Sequence, residues 1–364
     1  MPLPHLRDIE PGARLQAAVF QGEGRFALKA VRVPELTCGE MLLKVIAVGI
    51  CGTDLKIFSG KKRSKPLPSG DVILGHEFVG EVVLAGNAGT AFSRGQLVMV
   101  EPDIHCGTCR YCLGGATHLC QSPKVIYEDY PGALAQFLVV PEQALRNGQV
   151  HRLPDNLAPD YGTLVEPLAC VIHGQDRLLQ LLTFRDSALI LGGGPIGTLH
   201  ALLARANGFK HIVLADTNPD RVLWLQDRLR PYSQMTCIAI DPAMKLAGFS
   251  GAPFDMVVQA CPDVSALNDG FALVAPSGGL LAFAGLSRGD VLSVDAHKLH
   301  YQDIHIIGSA NYRSADVHKA LLMLSSGVVS GETLISQTYP LERIQEAMSH
   351  ALCGNGLKTI IKPN

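Results

Sequence analysis

Four thiols lie within fifteen residues of one another, at Cys106, Cys109, Cys112 and Cys120, in C-x2-C-x2-C-x7-C spacing. Gly107, Gly114 and Gly115 let the chain turn sharply between them. Four thiolates on so short a loop suit a closed tetrahedral zinc, which would stabilise a segment unable to bury a core of its own. A redox Cys-x-x-Cys pair would leave the third and fourth cysteines unused. A nucleic-acid zinc ribbon would come with a basic surface, and a net charge of −2 offers none. His105 and His118 flank the cluster as bystanders.

A second constellation is dispersed. Cys51 stands in Gly49-Ile50-Cys51-Gly52-Thr53-Asp54, directly after the apolar run Met41–Val48, and His76-Glu77 follows Val72–Leu74. Singly these are ordinary: a cysteine after a strand is usually a small buried hydrophobe, and a His-Glu pair a solvated loop. Together a thiolate, an imidazole and a carboxylate form a suitable zinc ligand set with one position open to substrate. Between them, Ile57–Gly70 carries Lys61, Lys62, Arg63 and Lys65. That run reads as a solvated loop face, or as a lid basic enough to attract a phosphorylated or carboxylated substrate.

The third constellation binds phosphate. Ala188–Leu191 is a short apolar run, then Gly192, Gly194 and Gly197 fall in G-x-G-x-x-G spacing, with Pro195 and Ile196 inside the turn. Leu199, Leu202 and Leu203 follow at helical spacing, Gly208 ends that helix, and a second buried run, Ile212–Ala215, stops at Asp216. The glycines permit a tight turn, close approach to a pyrophosphate, and close packing of helix on strand. Asp216 is placed to accept hydrogen bonds from the adenosine ribose. A carboxylate there repels a 2′-phosphate, and Thr217-Asn218 offer no arginine in compensation, so NAD is expected over NADP.

These groups need two kinds of scaffold. Residues 15–48 alternate apolar stretches and turns (Gln16–Phe20, Phe26–Val33, Met41–Val48), and Phe78–Leu84 and Leu134–Val140 read the same way, as strands of a β-rich region. Leu164–Cys170 opens a helix leading into the strand–helix alternation around the glycine turn. At 364 residues, 47% hydrophobic and 18% charged, the chain is globular and long enough for two cores. The charge-free windows Ser187–Ala204 and Gly270–Ser287 are interrupted by glycine clusters, so buried strand–turn units explain them better than membrane spans. Met1–Glu10 lacks the apolar core of a signal peptide, which points to the cytoplasm, with neither nucleic acid nor membrane as partner. Cys170, Cys237 and Cys261 read as core thiols, and His297, His300 and His305 are too irregular for a ligand set.

In this order the motifs G-I-C-G-T-D, G-H-E, the four-cysteine lobe, V-E-P-L-A-C (165–170) and G-G-G-P-I-G (192–197) resemble the zinc-dependent medium-chain dehydrogenase/reductase family. The closest likeness is to its polyol (sorbitol) and threonine dehydrogenase branch. The resemblance implies an α/β fold: a GroES-like β-rich catalytic domain (1–160 and 312–364, with the lobe at 101–122) plus a doubly wound Rossmann NAD-binding domain (161–311). It implies two zinc ions per chain and NAD. Cys51 and His76 would hold the catalytic zinc, Glu77 and Glu166 would bind it directly or through water, and Arg221 would join Asp216 at the ribose. Leu286 is expected among the cofactor-binding residues, and Tyr312-Arg313 either contact cofactor or substrate or form a solvent-facing turn. Relatives often carry a histidine five residues after the zinc cysteine, where this chain has Lys56. The implied chemistry is oxidation of a secondary alcohol to a ketone by hydride transfer, with Thr53 and Lys56 passing the proton outward, in a homodimer or homotetramer. Threonine 3-dehydrogenase-like oxidation of an amino alcohol is one alternative, and a non-catalytic nicotinamide-binding role is another.

Overall fold

The computed structural model describes residues 14–32, 35–61, 71–85, 91–241, 253–354 and 356–364. Of the basic run, Lys62, Arg63 and Lys65 lie outside the described residues. The chain forms two compact units. One comprises Met1–Glu166, Ile335–Cys353 and Lys358–Asn364, the other Pro167–Leu334 and Gly354–Leu357. The expected C-terminal crossing at 312 therefore falls instead between Leu334 and Ile335. The helix Ser314–Ser325, inside the stretch expected to return to the catalytic domain, belongs instead to the second unit. Its buried Val317, Leu321 and Leu324 make it a core element there.

The first unit is β-rich. Its centre is the strand Met41–Gly49, buried at seven of nine positions as befits a strand covered on both faces. Glu77–Ala85 pairs with it antiparallel in a register that sets Gly49 against Glu77. On its other side Lys358–Lys362 pairs antiparallel, Ile360 opposite Gly49, and Ile50 N–H donates to Thr359 O at 3.0 Å. Leu97–Val100, Val150–Arg152, Phe137–Val140 and Ile335–Pro340 complete a seven-stranded sheet. Arg14–Gly22, Arg25–Arg32 and Val72–Ile73 form a separate three-stranded antiparallel sheet. Met41, Leu43, Val45, Val48 and Phe78 sit in one core cluster, and truncating a side chain such as fully buried Leu43 to alanine would cost about 2–5 kcal/mol. This packing fixes the strand ends, and the strand ends carry the site.

The second unit is a parallel six-stranded sheet ordered Met235–Ala239, His211–Asp216, Ser187–Leu191, Phe254–Gln259, Val274–Ala282, His305–Gly308. Numbered along the chain this order is 3-2-1-4-5-6, the doubly wound arrangement, and the reversal falls between Ser187–Leu191 and Phe254–Gln259. Pro195–Ala206 is helical because Gly194 caps it, Pro195 presets its first turn, and Leu199, Leu202 and Leu203 form a buried stripe. Among the described residues, no helix is long and apolar enough to cross a membrane.

Candidate functional site

In the first unit, Cys51 is the N-cap of the short helix Gly52–Phe58, and its sulfur accepts from Thr53 N–H at 3.4 Å. The register between Met41–Gly49 and Glu77–Ala85 brings Cys51 beside His76 and Glu77. One ligand atom from each of these three lies within 4.8 Å of the other two. A soft thiolate, an imidazole and a carboxylate, half-buried to buried, are a zinc donor set.

Two residues that the sequence reading did not single out hold this set. Asp54, 1% exposed, accepts from Cys51 N–H at 3.0 Å and from Gly75 N–H at 3.4 Å, tying together the two loops that carry the ligands. Its other contact is His76 Nδ1, 3.7 Å away, in the position of a carboxylate that orients a ligand imidazole. Burial raises the Asp54 carboxyl while His76 and the Cys51 N–H pull it back. The Tyr127 ring lies 4.8 Å from that of His76, on a backbone strained to φ 84°. Lys358, 3% exposed, forms an ion pair with Glu77, 2% exposed, and donates to Ile50 O at 3.2 Å. Burial alone would depress the lysine, but Glu77 and then Cys51 hold its pKa up.

Glu166 lies at the end of this unit, half-buried. Burial and then the Glu77 charge push its carboxyl up to about 7. Thr53 is half-buried on the helix that Cys51 caps, and Lys56, one turn on, is exposed.

In the lobe, the sulfurs of Cys106, Cys109, Cys112 and Cys120 all lie within 4.8 Å of one another. The Thr108 backbone pulls Cys106 down to about 5, whereas burial and then Cys109 push Cys112 up to about 12. Four sulfurs this close cannot all ionise without a cation among them, so the donor set fits a closed zinc. His105 is engaged by the neighbouring helix region: its carbonyl accepts from Gln143 (2.8 Å) and Asn147 (2.6 Å) side chains, and Asn147 also meets its Nδ1.

In the second unit, Gly192 has φ +108°, and a Cβ there would meet Ala260 O at 2.9 Å. A Cβ on Gly197 would stand 1.7 Å from Gly192 O, so only glycine fits. Around Gly194 nothing lies within 4 Å of a Cβ position, which leaves the cradle open. Ile196 and Gly197 supply first-turn N–H groups without intrahelical acceptors. These features fit a dinucleotide pyrophosphate. Asp216 is more engaged than expected. Its Oδ2 accepts from Gly193 N–H (2.6 Å) and pairs with Arg221 (3.2 Å), and Oδ1 accepts from Asn218 N–H (2.8 Å). An arginine thus does reach Asp216, although Thr217-Asn218 supply none, and it also donates to Gly354 O at 3.0 Å.

The remaining expectations divide. Leu286 is 41% exposed. Tyr312 is 5% exposed, so it is not part of a solvent-facing turn, whereas Arg313 is exposed and precedes the helix Ser314–Ser325. Cys237 is buried, and Cys170 and Cys261 are half-buried. His297 and His300 pack on Tyr301 rather than on one another.

Residues 37–155 match the family described as "Alcohol dehydrogenase GroES-like domain". L-galactonate-5-dehydrogenase of Escherichia coli (strain K12) is 30% identical over 343 residues, covering 94% of this chain and 96% of that protein. Sorbitol dehydrogenase of Bombyx mori is 29% identical over 358 residues, covering 95% and 97%. Among solved structures, a protein from Sinorhizobium meliloti 1021 described as a zinc-binding dehydrogenase bound to NADP superposes with a TM-score of 0.82. It is 26% identical and covers 96% of this chain and 100% of its own. The chain belongs to the zinc-dependent medium-chain dehydrogenase/reductase family. Its relatives, matched over nearly their whole length, set it in the polyol and threonine dehydrogenase branch.

Proposed function

We propose that the protein oxidises a secondary alcohol of a polyol, sugar derivative or sugar-alcohol phosphate to the ketone, using two zinc ions and NAD. The observation that carries this reading is the convergence of Cys51, His76 and Glu77 within 4.8 Å, in a chain that also folds a glycine cradle for a dinucleotide. The names of the relatives, a sorbitol and an L-galactonate dehydrogenase, support the substrate class.

When bound, zinc supplies Lewis acidity at the alcohol oxygen and NAD accepts the hydride. Cys51 and His76 hold the metal, while Asp54 keeps both ligand loops in place. Glu77 divides its charge between the metal set and Lys358. Glu166, with its carboxyl near 7, is able to take or release a proton at neutral pH. The Thr53 hydroxyl, two residues after Cys51 and half-buried, would pass the alcohol proton outward, with exposed Lys56 as the next group toward water. NAD is favoured over NADP because the Asp216 carboxylate disfavours a 2′-phosphate and already neutralises Arg221.

The test is NAD reduction followed at 340 nm with sorbitol, L-galactonate, sugar-alcohol phosphates, inositols and L-threonine, on protein shown by metal analysis to hold two zinc ions. Turnover on one polyol class, lost in Cys51→Ser, is expected. Fully zinc-loaded protein inert towards the whole panel, or Cys51→Ser retaining turnover, would refute the reading.

A further inference from the structure

Gln259 is the last residue of the strand Phe254–Gln259, in register with Leu191 on one side and Ala282 on the other. It therefore stands at the carboxyl end of the sheet, on the strand where the strand order reverses, and that is where doubly wound sheets take their ligands. It is 0% exposed. A buried carboxamide is costly unless both ends are satisfied, and here both are. Its Oε1 accepts from Phe283 N–H (3.0 Å) and Ala284 N–H (3.2 Å). Its Nε2 donates to Ala284 O (2.7 Å) and to Cys261 O.

Those partners belong to two different loops. Cys261 follows Gln259 itself, and Phe283-Ala284 follow the neighbouring strand Val274–Ala282. The first loop is pressed against the fingerprint turn: Ala260 O and the Cys261 Cβ lie 2.9 and 3.0 Å from where Gly192 would carry a Cβ. The second leads to Leu286, the residue expected at the cofactor and 41% exposed. One side chain thus pins two loops.

We infer that Gln259 is a positioning residue that holds these two loops in shape for the nicotinamide half of the dinucleotide. This rests on the proposed use of NAD. The halves can be told apart because Asp216 and Arg221 sit on the His211–Asp216 side of the reversal, which takes the adenosine. The strands Phe254–Gln259 and Val274–Ala282 lie on the other side and leave their loops to the nicotinamide.

The experiment measures Kd for NADH and for AMP, by fluorescence and calorimetry, on zinc-loaded parent, Gln259→Glu and Gln259→Leu. In Gln259→Glu the carboxylate can still accept from Phe283 and Ala284, but its second oxygen opposes two carbonyls. Gln259→Leu loses all four contacts. Both are expected to weaken NADH by about tenfold or more, the scale of one net hydrogen bond. AMP affinity and the two zinc ions per chain should stay unchanged in both. Should Gln259→Leu fail to fold, Gln259→Glu decides. NADH affinity unchanged in Gln259→Glu, or NADH and AMP weakened together, would overturn the inference. A parent that binds neither NADH nor NAD would instead overturn the functional reading beneath it.

Discussion

Lys358→Met is the sharpest perturbation the site offers. Methionine keeps the length of the side chain but removes the charge that Glu77 pairs with. With the partners 3% and 2% exposed, water screens the pair little, and removing one member leaves a buried carboxylate uncompensated. Breaking such a pair costs about 3–5 kcal/mol, to which the lost hydrogen bond to Ile50 O adds about 1 kcal/mol. Zinc changes this arithmetic, because a dication beside Glu77 supplies the missing counter-charge. Urea unfolding of Lys358→Met should therefore show a loss of about 4–6 kcal/mol after zinc is removed by chelation, and less than half of that with zinc bound. Agreement of mutant and parent to about 1 kcal/mol in zinc-free protein would show that Lys358 does not hold Glu77. An equal loss with and without zinc would show that the pair does not act on the metal set.

The remaining expectations are these. Cys109→Ser should reduce the zinc content from two ions per chain to one and lower the unfolding temperature, with the rate of the chemical step in folded protein kept; loss of that step alone would make the lobe catalytic. Asp216→Ala should raise Kd for NAD and narrow its preference over NADP, because the carboxylate that repels a 2′-phosphate is gone and Arg221 is freed; an unchanged NAD Kd rules out the ribose contact. His200 is fully buried, and burial pushes its imidazole down to about 3 from an ordinary 6.5. The unfolded chain then binds a proton that the folded one refuses, so stability holds above pH 6.5 and declines as pH falls toward 3. Between pH 6.5 and about 4.5 this group should cost about 2–3 kcal/mol at 0% exposure, and His200→Gln should remove that part of the slope in acid titrations of urea unfolding.

The chemistry legible in the sequence was the chemistry written locally. The four cysteines of the lobe, and the glycine turn with Asp216, are each delivered by one short segment, so spacing alone brings them together. Cys51 and His76-Glu77 were legible because each follows an apolar strand, and strand pairing is what unites them. Asp54 stands inside the G-I-C-G-T-D motif, but its part depends on the loop at Gly75, which spacing does not reveal. A carboxylate three residues after a capping cysteine was the available signal. Lys358 was invisible because its partner lies 281 residues away, and its only mark was a charge inside a buried strand. The crossing back to the first unit comes later in the chain than the motifs imply for a similar reason. The helix Ser314–Ser325 has an amphipathic pattern that does not say which core its apolar side will join.

Because the lysine that neutralises Glu77 arrives on Lys358–Lys362, the metal-binding half cannot finish folding in the order it is synthesised. On the ribosome, Cys51, His76 and Glu77 emerge long before the strand that flanks Met41–Gly49, with the whole parallel sheet translated in between. The second unit can close around its own core while the first waits with an open sheet edge and an unbalanced acid. Premature termination between Leu334 and Lys358 would then leave a nascent protein able to grip a nucleotide yet lacking a settled place for its metal.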